Sequence, residues 1–214
     1  MNLKEYYESY SKERGNYIAR VPLDNVKRVN DLLPFLASPM LDVGCGTGDS
    51  VNYFSKKGFI VEGCDISENA IKKARNLFAK HNFFVHDFSL KSLNKKYNTV
   101  YAFDVIEHVF DYNSFLHNIW ESLNNKGKLI LATPNVCGLK SRIKVLLGNG
   151  EQFINFSEGK LQPHIRFFTV KTLKEVLEKN EFKVIKVFGY TSIPFNLSNN
   201  LCGSITAIAE KRTS

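Results

Sequence analysis

Nowhere in the 214 residues is there an apolar run approaching the roughly 18 to 20 residues of a membrane-spanning helix. The opening residues, Met1-Asn2-Leu3-Lys4-Glu5-Tyr6-Tyr7-Glu8, also lack the apolar core of a signal peptide, so a cytoplasmic chain is expected. Cysteine is sparse and scattered. Cys45, Cys64, Cys137 and Cys202 form no CxxC pair, which argues against a zinc site or a disulfide framework and suits buried small residues. Internal repeats and low-complexity tracts are absent as well. With 43% hydrophobic and 23% charged residues, the composition excludes a disordered or collagen-like chain. What remains is a globular chain long enough for one sheet covered on both faces, with little left for a second core. Its basic excess, a net charge of +8, falls in short groups such as Lys56-Lys57, Lys72-Lys73 and Lys95-Lys96, spaced as on outward helix faces and turns. A solvated surface is the plainer reading of that charge, and a basic patch for an anionic partner is the other.

The apolar pattern alternates strand and helix. Residues 22–36 place Leu23, Val26, Leu32, Leu33 and Leu36 near helical spacing, predicting a helix ahead of a first strand, Met40-Leu41-Asp42-Val43. Gly44-Cys45-Gly46-Thr47-Gly48 follows, then an amphipathic helix through Val51 and Phe54 that closes at Gly58. A second unit runs from Phe59 to Asp65 and into a helix capped by Ser67, with Ala70, Ile71, Ala74, Leu77 and Phe78 expected to face inward. Phe83-Phe84-Val85 predicts a third strand ending at His86-Asp87, and Thr99 to Phe103 a fourth ending at Asp104. Residues 113–124 predict a helix carrying Phe115, Leu116, Ile119, Trp120 and Leu123; Gly127 then introduces a fifth strand, Lys128 to Thr133, stopped by Pro134. Acidic residues thus gather at the carboxyl ends of the strands, the edge where open parallel sheets bind ligands. Between 138 and 168 the rhythm breaks, and a connection this long predicts a substrate-covering insertion rather than a simple link. Thr169 caps a helix through Leu173, Val176 and Leu177, and strands at 182–188 and 203–209 close the chain.

A Gly-x-Gly-x-Gly run between strand and helix lets the backbone turn sharply and approach a ligand where a Cβ would clash. Alone this is a weak signal. With Asp65 ending the next strand, 17 residues past Gly48, it predicts a nucleoside site in which the Asp65 carboxylate accepts from the ribose hydroxyls. Asp87 is then placed for an adenine amino group, and Phe88 for packing on the ring. A nicotinamide dinucleotide calls for Gly-x-Gly-x-x-Gly, but Asp49 stands at the third glycine position, where a carboxylate repels a pyrophosphate and obstructs close helix packing. No Gly-Lys-Ser/Thr follows the loop, which excludes a P-loop. S-adenosylmethionine has no phosphate and carries a sulfonium and an ammonium group, so acidic neighbours favour it.

Leu41-Asp42-Val43-Gly44-Cys45-Gly46-Thr47-Gly48 resembles the signature loop of class I S-adenosylmethionine-dependent methyltransferases. Asp65-Ile66-Ser67 is similar to that family's ribose-binding segment, His86-Asp87-Phe88 to its adenine-binding segment, and Phe103-Asp104-Val105-Ile106-Glu107-His108-Val109 to the segment after its fourth strand. Ala132-Thr133-Pro134-Asn135 and Pro163-His164-Ile165-Arg166-Phe167-Phe168 resemble the branch of ubiquinone-biosynthesis O-methyltransferases. The likeness covers roughly residues 38–210 and is specific for the superfamily, not for the acceptor. It implies an α/β, Rossmann-like three-layer sandwich with a seven-stranded, mostly parallel sheet and an antiparallel last strand. A single domain over 1–214 is expected, with an N-terminal helical cap at 1–37. Donor contacts are implied at Asp42, Gly44, Gly46, Gly48, Asp65, Ile66, Asp87, Phe88 and Phe103, with in-line transfer of a methyl group that relies mostly on positioning.

A hydroxyl acceptor also needs a base. His108, just beyond the fourth strand, stands where it can take that proton; alternatively it only fixes the loop. His164 is the second candidate base, with Arg166 orienting an anionic part of the substrate, against a purely structural clamp by both. In the ubiquinone-type branch the equivalent segment binds a divalent metal as Glu-x-x-Glu-His. Asp104, Glu107 and His108 stand in those places here, and Asp for Glu shortens the first ligand, so no metal is expected, these three being its candidate ligands. Tyr6, Tyr7 and Tyr10 either close over the donor or form a core stripe. The basic segment Leu139 to Leu147, with Lys140, Arg142 and Lys144, reads as an amphipathic lid or as a contact with a membrane surface or lipid-like acceptor. A small-molecule acceptor, anionic or lipid-like, is expected rather than nucleic acid, because no Asn/Asp-Pro-Pro-Tyr-like element follows the fourth strand and no RNA-binding module is appended. Monomer and homodimer both remain compatible with the sequence. The reading is methyl transfer to oxygen, with nitrogen or carbon acceptors behind it. Its rivals are a module that binds S-adenosylmethionine without transfer and a nicotinamide-dependent oxidoreductase.

Overall fold

The structure, a computed structural model, describes residues 8, 26–149, 164–191 and 198–212. Seven strands form one sheet: β1 Met40–Val43, β2 Val61–Asp65, β3 Phe83–Val85, β4 Tyr97–Phe103, β5 Leu123–Pro134, β6 Phe182–Tyr190 and β7 Ser204–Lys211. Their order across the sheet is β3-β2-β1-β4-β5-β7-β6. Strands β1 to β5 pair in parallel, and β7 runs antiparallel to both β5 and β6, so the last strand alone is reversed. The described helices are α1 Val26–Leu32, α2 Asp49–Lys56, α3 Glu68–Leu77, α4 Tyr112–Glu121, α5 Leu139–Leu146 and α6 Val170–Lys179. Three of them begin on a side chain that accepts from an otherwise orphaned amide: Ser67 from Ala70, Asp111 from Asn113 and Ser114, and Thr169 from Thr172.

The pleat divides the sheet between two cores. Leu41, Val43, Val100, Ala102, Leu129, Leu131, Ala207 and Ala209 belong to the face covered by Leu116 and Ile119 of α4 and by Leu173 and Leu177 of α6. Met40, Tyr101, Ile130 and Ile208 face the other way, onto Val29 and Leu32 of α1, Val51 and Phe54 of α2, and Ile71 and Ala74 of α3. Period-two alternation with both faces apolar is what a sheet between two helical layers requires. Each fully buried Leu, Ile or Phe contributes about 1.5–3 kcal/mol. From β1 the chain builds outward through β2 to β3, then returns to place β4 on the opposite side of β1. At such a reversal the connections leave in opposite directions and open a crevice at the carboxyl ends of the strands.

Three local expectations differ from what the fold shows. Leu77 is 62% exposed, because α3 ends there and Phe78 is the residue that turns back onto the core. Leu123 opens β5 instead of closing a helix: α4 stops at Glu121, and Leu123 pairs with Tyr97. Cys137 is only half-buried, whereas Cys45, Cys64 and Cys202 are buried, and all four are free thiols.

Candidate active site

The loop after β1 is tied to the end of β2. Gly44 and Cys45 amides donate to the Cys64 carbonyl at 2.8 and 2.9 Å, and the Gly46 amide donates to Oδ2 of Asp65 at 3.0 Å. Oδ1 of Asp65 accepts from the Ser67 amide at 2.9 Å. Two backbone donors thereby orient this carboxyl, whose pKa burial raises while the Ser67 and Gly46 amides oppose the rise. Gly44 has φ 76°, and a Cβ on it would stand 2.5 Å from Cγ2 of Val105, so only glycine lets the loop lie against the end of β4. A Cβ on Gly48 would meet the Phe83 ring, also at 2.5 Å. Gly48 therefore does the helix-to-sheet packing that dinucleotide folds assign to their third glycine. Position 49 is left open to an aspartate, which begins α2 and accepts from the Thr47 hydroxyl at 2.6 Å.

A pocket opens over these strand ends, lined by Val43, Gly44, Asp65 and Ile66, by His86, Asp87, Phe88 and Ser89 after β3, and by Asp104, Val105, His108 and Val109 after β4, with Phe115 behind. The enclosed part of the cavity is small, about 130 Å³, and it widens into an open mouth. Of the expected donor contacts, Gly44, Asp65, Ile66, Asp87 and Phe88 meet at this wall. Phe88 is 2% exposed, with its ring centroid 4.6 Å from that of His86, and gives a fixed apolar floor. Asp42, Gly46, Gly48 and Phe103 are not part of the wall. Asp42 lies buried beneath the loop, where it accepts from the Ser50 hydroxyl and where burial raises its pKa to about 7 against the pull of that hydrogen bond. Phe103 packs on the opposite face, its ring 5.1 Å from that of Tyr101.

Beyond β4 the wall becomes polar. Glu107 is 1% exposed; one carboxyl oxygen, Oε2, accepts from the Thr133 hydroxyl at 3.0 Å, and Oε1 has no hydrogen-bond partner. Burial, reinforced by the negative charge of Asp104, raises its pKa to about 8. The Glu107 carbonyl accepts from the Ile165 and Arg166 amides at 3.0 and 3.1 Å, pinning the segment before α6 beside this turn. That contact brings His164 to His108, with ring centroids 4.7 Å apart at 65°. His108 lines the pocket, whereas His164 is not part of the lining and has its pKa lowered by burial. Arg166 turns away from the pocket: Nε donates to the Val109 carbonyl at 2.9 Å, Nη2 donates to that of Phe110, and the guanidinium lies 4.7 Å over the Tyr112 ring. Its position is that of the structural clamp, held by two backbone carbonyls. Tyr6, Tyr7 and Tyr10, like Pro163, lie outside the described residues.

The methyltransferase-domain family matches residues 14–187, most of the chain. The chain belongs to that family. It is a class I S-adenosylmethionine-dependent methyltransferase. Among curated relatives, the ubiquinone biosynthesis O-methyltransferase of Bartonella tribocorum is 27% identical over 175 residues, spanning 79% of this chain and 70% of the relative. The human mitochondrial ubiquinone biosynthesis O-methyltransferase is 26% identical over 172 residues, spanning 76% of this chain and 46% of that protein. The fold is similar to that of magnesium protoporphyrin IX methyltransferase from Synechocystis PCC 6803, solved with bound S-adenosylhomocysteine, at a TM-score of 0.66 and 18% identity over 98% of both chains. An S-adenosylmethionine-dependent methyltransferase from Clostridium acetobutylicum gives a TM-score of 0.68 at 14% identity, over 95% of this chain and 99% of the other.

Two further residues bear on the methyltransferase site that the sequence reading passed over. Arg28 of α1 is 7% exposed; its Nη2 donates to the Thr206 hydroxyl at 2.9 Å, its guanidinium lies 4.9 Å over the Tyr190 ring, and its charge acts on Asp104 at the pocket wall. Its readable signal was a spacing: Arg28 precedes the buried Leu32 by four residues and so lies on the same, apolar helix face. Glu8 accepts from the Glu68 amide at 2.5 Å and the Asn69 amide at 3.3 Å, closing the first turn of α3 just after Asp65. Nothing local announces that contact, because its partners are 60 and 61 residues away.

Proposed function

We propose that this methyltransferase transfers the methyl group of S-adenosylmethionine to a hydroxyl oxygen of a small molecule with an apolar body. The observation that carries the reading is the imidazole pair in which His108 lines the pocket and His164 packs against it. A neutral amine attacks with its own lone pair, whereas a hydroxyl must lose a proton as the methyl arrives, and a base placed for that proton contributes roughly 10²- to 10⁴-fold. His108, at the wall, is the group that meets the acceptor. His164, with its pKa lowered by burial, is neutral at pH 7 and supports proton acceptance rather than opposing it with a second charge. On the donor side, Asp65 accepts from the ribose hydroxyls, Asp87 accepts from the adenine amino group, and Phe88 packs beneath the ring. Asp104 and Arg28 supply one charge of each sign for the ammonium and carboxylate of the amino-acid end.

The surface next to the histidines supports an apolar acceptor. Phe110 is 80% exposed, and Ile165 and Phe167 also present apolar surface to solvent. Helix α5, the start of the insertion, has no buried residue, leaving Ile143, Leu146 and Leu147 in contact with solvent beside Lys140, Arg142 and Lys144. Among the described residues no helix is long and apolar enough to cross a membrane. The test is release of S-adenosylhomocysteine from the donor in the presence of phenolic, sugar, carboxylic and amine acceptors. Turnover with apolar phenols and none with their amine isosteres is expected. Turnover with amines alone contradicts the oxygen assignment, and donor binding without turnover on any acceptor favours the binding-module alternative.

A further inference from the structure

The turn after β3 carries a buried imidazole that methyl transfer itself leaves without a task. His86 is 8% exposed and lines the pocket beside Asp87 and Phe88. Its amide donates to the Asp65 carbonyl at 3.0 Å, which ties the backbone of this turn to the end of β2. Its ring meets those of Phe84 and Phe88 edge to face, with centroids 6.4 and 4.6 Å away. We propose that His86 is a specificity-determining residue of the donor site: Nδ1 of its ring accepts one hydrogen of the adenine 6-amino group and so selects adenine over 6-oxopurines. The proposal rests on the reading that places adenine at Asp87 and Phe88.

The tautomer follows from one hydrogen bond. Nε2 of His86 lies 2.9 Å from the Lys91 carbonyl oxygen, which can only accept, so Nε2 carries the hydrogen. A neutral imidazole has one donor and one acceptor, and the lone pair is thereby assigned to Nδ1. Burial, the largest influence on this ring, lowers its pKa and keeps it neutral at pH 7. The Asp87 carboxylate is divided in a similar way: Oδ1 accepts from the Ser89 amide at 2.8 Å, leaving Oδ2 for a ligand. Two adjacent residues of the pocket wall therefore offer two acceptors. The 6-amino group of adenine has two hydrogens to give. A 6-oxopurine presents an acceptor in its place and leaves both protein atoms unpaired. A site built to accept a ligand's N–H disfavours the counterpart lacking it by several orders of magnitude, because its buried polar atoms then go unanswered. Bonds other than that of the imidazole also hold the turn: the Leu90 and Lys91 amides donate to the Asp87 carbonyl at 3.2 and 3.3 Å, and Nδ2 of Asn118 donates to the Phe88 carbonyl at 2.8 Å.

The test is one of binding and needs no methyl acceptor. S-adenosylhomocysteine and its 6-oxopurine counterpart, S-inosylhomocysteine, are titrated calorimetrically into the parent chain, His86→Gln and Asp87→Asn. The glutamine amide keeps a donor for the Lys91 carbonyl and removes the acceptor of the imidazole. The parent is expected to prefer the adenine compound by at least about 100-fold. In His86→Gln that preference is expected to fall at least about tenfold, with the affinity for S-inosylhomocysteine kept within about threefold. A purely structural role weakens both ligands together and leaves their ratio unchanged, which overturns the proposal. If the ratio is unchanged in His86→Gln but falls in Asp87→Asn, adenine lies where the donor reading puts it and only the role of His86 fails; no preference in the parent removes both. Near-UV circular dichroism verifies folding. Where His86→Gln does not fold, nitrogen NMR of the histidine rings in the parent decides: one ring should hold a hydrogen on Nε2 and a lone pair on Nδ1, and that Nδ1 resonance should move upfield with S-adenosylhomocysteine and not with S-inosylhomocysteine. An Nδ1 resonance indifferent to the adenine compound overturns the proposal.

Discussion

The two sides of the pocket are built by different means. On the side proposed for the donor, the carboxyl is oriented by nearby backbone, Asp65 taking its amide donors from Gly46 and Ser67, while the glycine loop packs by shape against Val105 and Phe83. On the side proposed for the acceptor, Glu107, His108 and His164 come from segments more than 50 residues apart and meet through two backbone hydrogen bonds to one carbonyl. Helix α5, which lies between them in sequence, has no buried residue. A nucleoside common to a whole family demands a fixed backbone, and backbone demands write themselves into glycines and strand-end acids. An acceptor peculiar to one enzyme is met by side chains on long connections, which evolve without disturbing either core.

The sharpest way to break this comparison is His108→Ala. The turnover number is expected to fall roughly 10²- to 10⁴-fold, about 3–5 kcal/mol in the barrier, with the dissociation constant for S-adenosylmethionine unchanged by calorimetry. A matching loss of donor affinity would mean that the two sides are not separable.

Next in size is a pH effect rooted under the donor loop. In the unfolded chain the Asp42 carboxyl titrates near 4, and in the fold burial raises it to about 7, so the native state holds its proton more tightly. Stability from this group is therefore greatest below about pH 4, declines between about pH 4 and 7, and is level above. A shift of about three pKa units corresponds to no more than about 4 kcal/mol. Glu107, raised to about 8, adds a decline of the same sign over a window that extends about a unit higher. Urea midpoints measured at pH 5 and pH 8 should show the parent chain weakening with rising pH, and Asp42→Asn weakening less; equal slopes would show that Asp42 is not the group responsible.

Asp65→Ala is expected to weaken donor binding by roughly 1–3 kcal/mol through lost charge-assisted hydrogen bonds, read as a calorimetric dissociation constant. The smallest effect belongs to α5. Leu146, 85% exposed, should cost less than about 0.5 kcal/mol when changed to Ala, while Leu173→Ala in the core under α6 should cost about 2–5 kcal/mol, both by chemical denaturation. Comparable losses would show that α5 is structural.

The same contrast explains what the sequence made legible. Alternating patterns and caps announced every strand and helix of the sheet, down to Ser67 and Thr169. The errors came where pattern and geometry part: Leu77 has helical spacing but sits at the last turn, and Leu123 continues a helical period into what the chain uses as the start of β5. Asp49 reads as a residue that would obstruct close helix packing as well as repel a pyrophosphate, but in the fold Gly48 does that packing against Phe83 and position 49 is free for an aspartate. On the acceptor side, His108 and His164 were each visible as candidates, but their meeting was not, because it depends on the Glu107 carbonyl accepting two amides from a distant segment. Arg28 and Thr206, 178 positions apart, joined for the same reason without a local sign.

The most direct test of the account is a crystal structure of the chain with S-adenosylhomocysteine. The ribose hydroxyls should lie on the Asp65 carboxylate, with adenine over Phe88, the amino-acid end toward Asp104, and the sulfur open to His108. A nucleoside seated away from Asp65, or with its sulfur turned from the histidine pair, would contradict it.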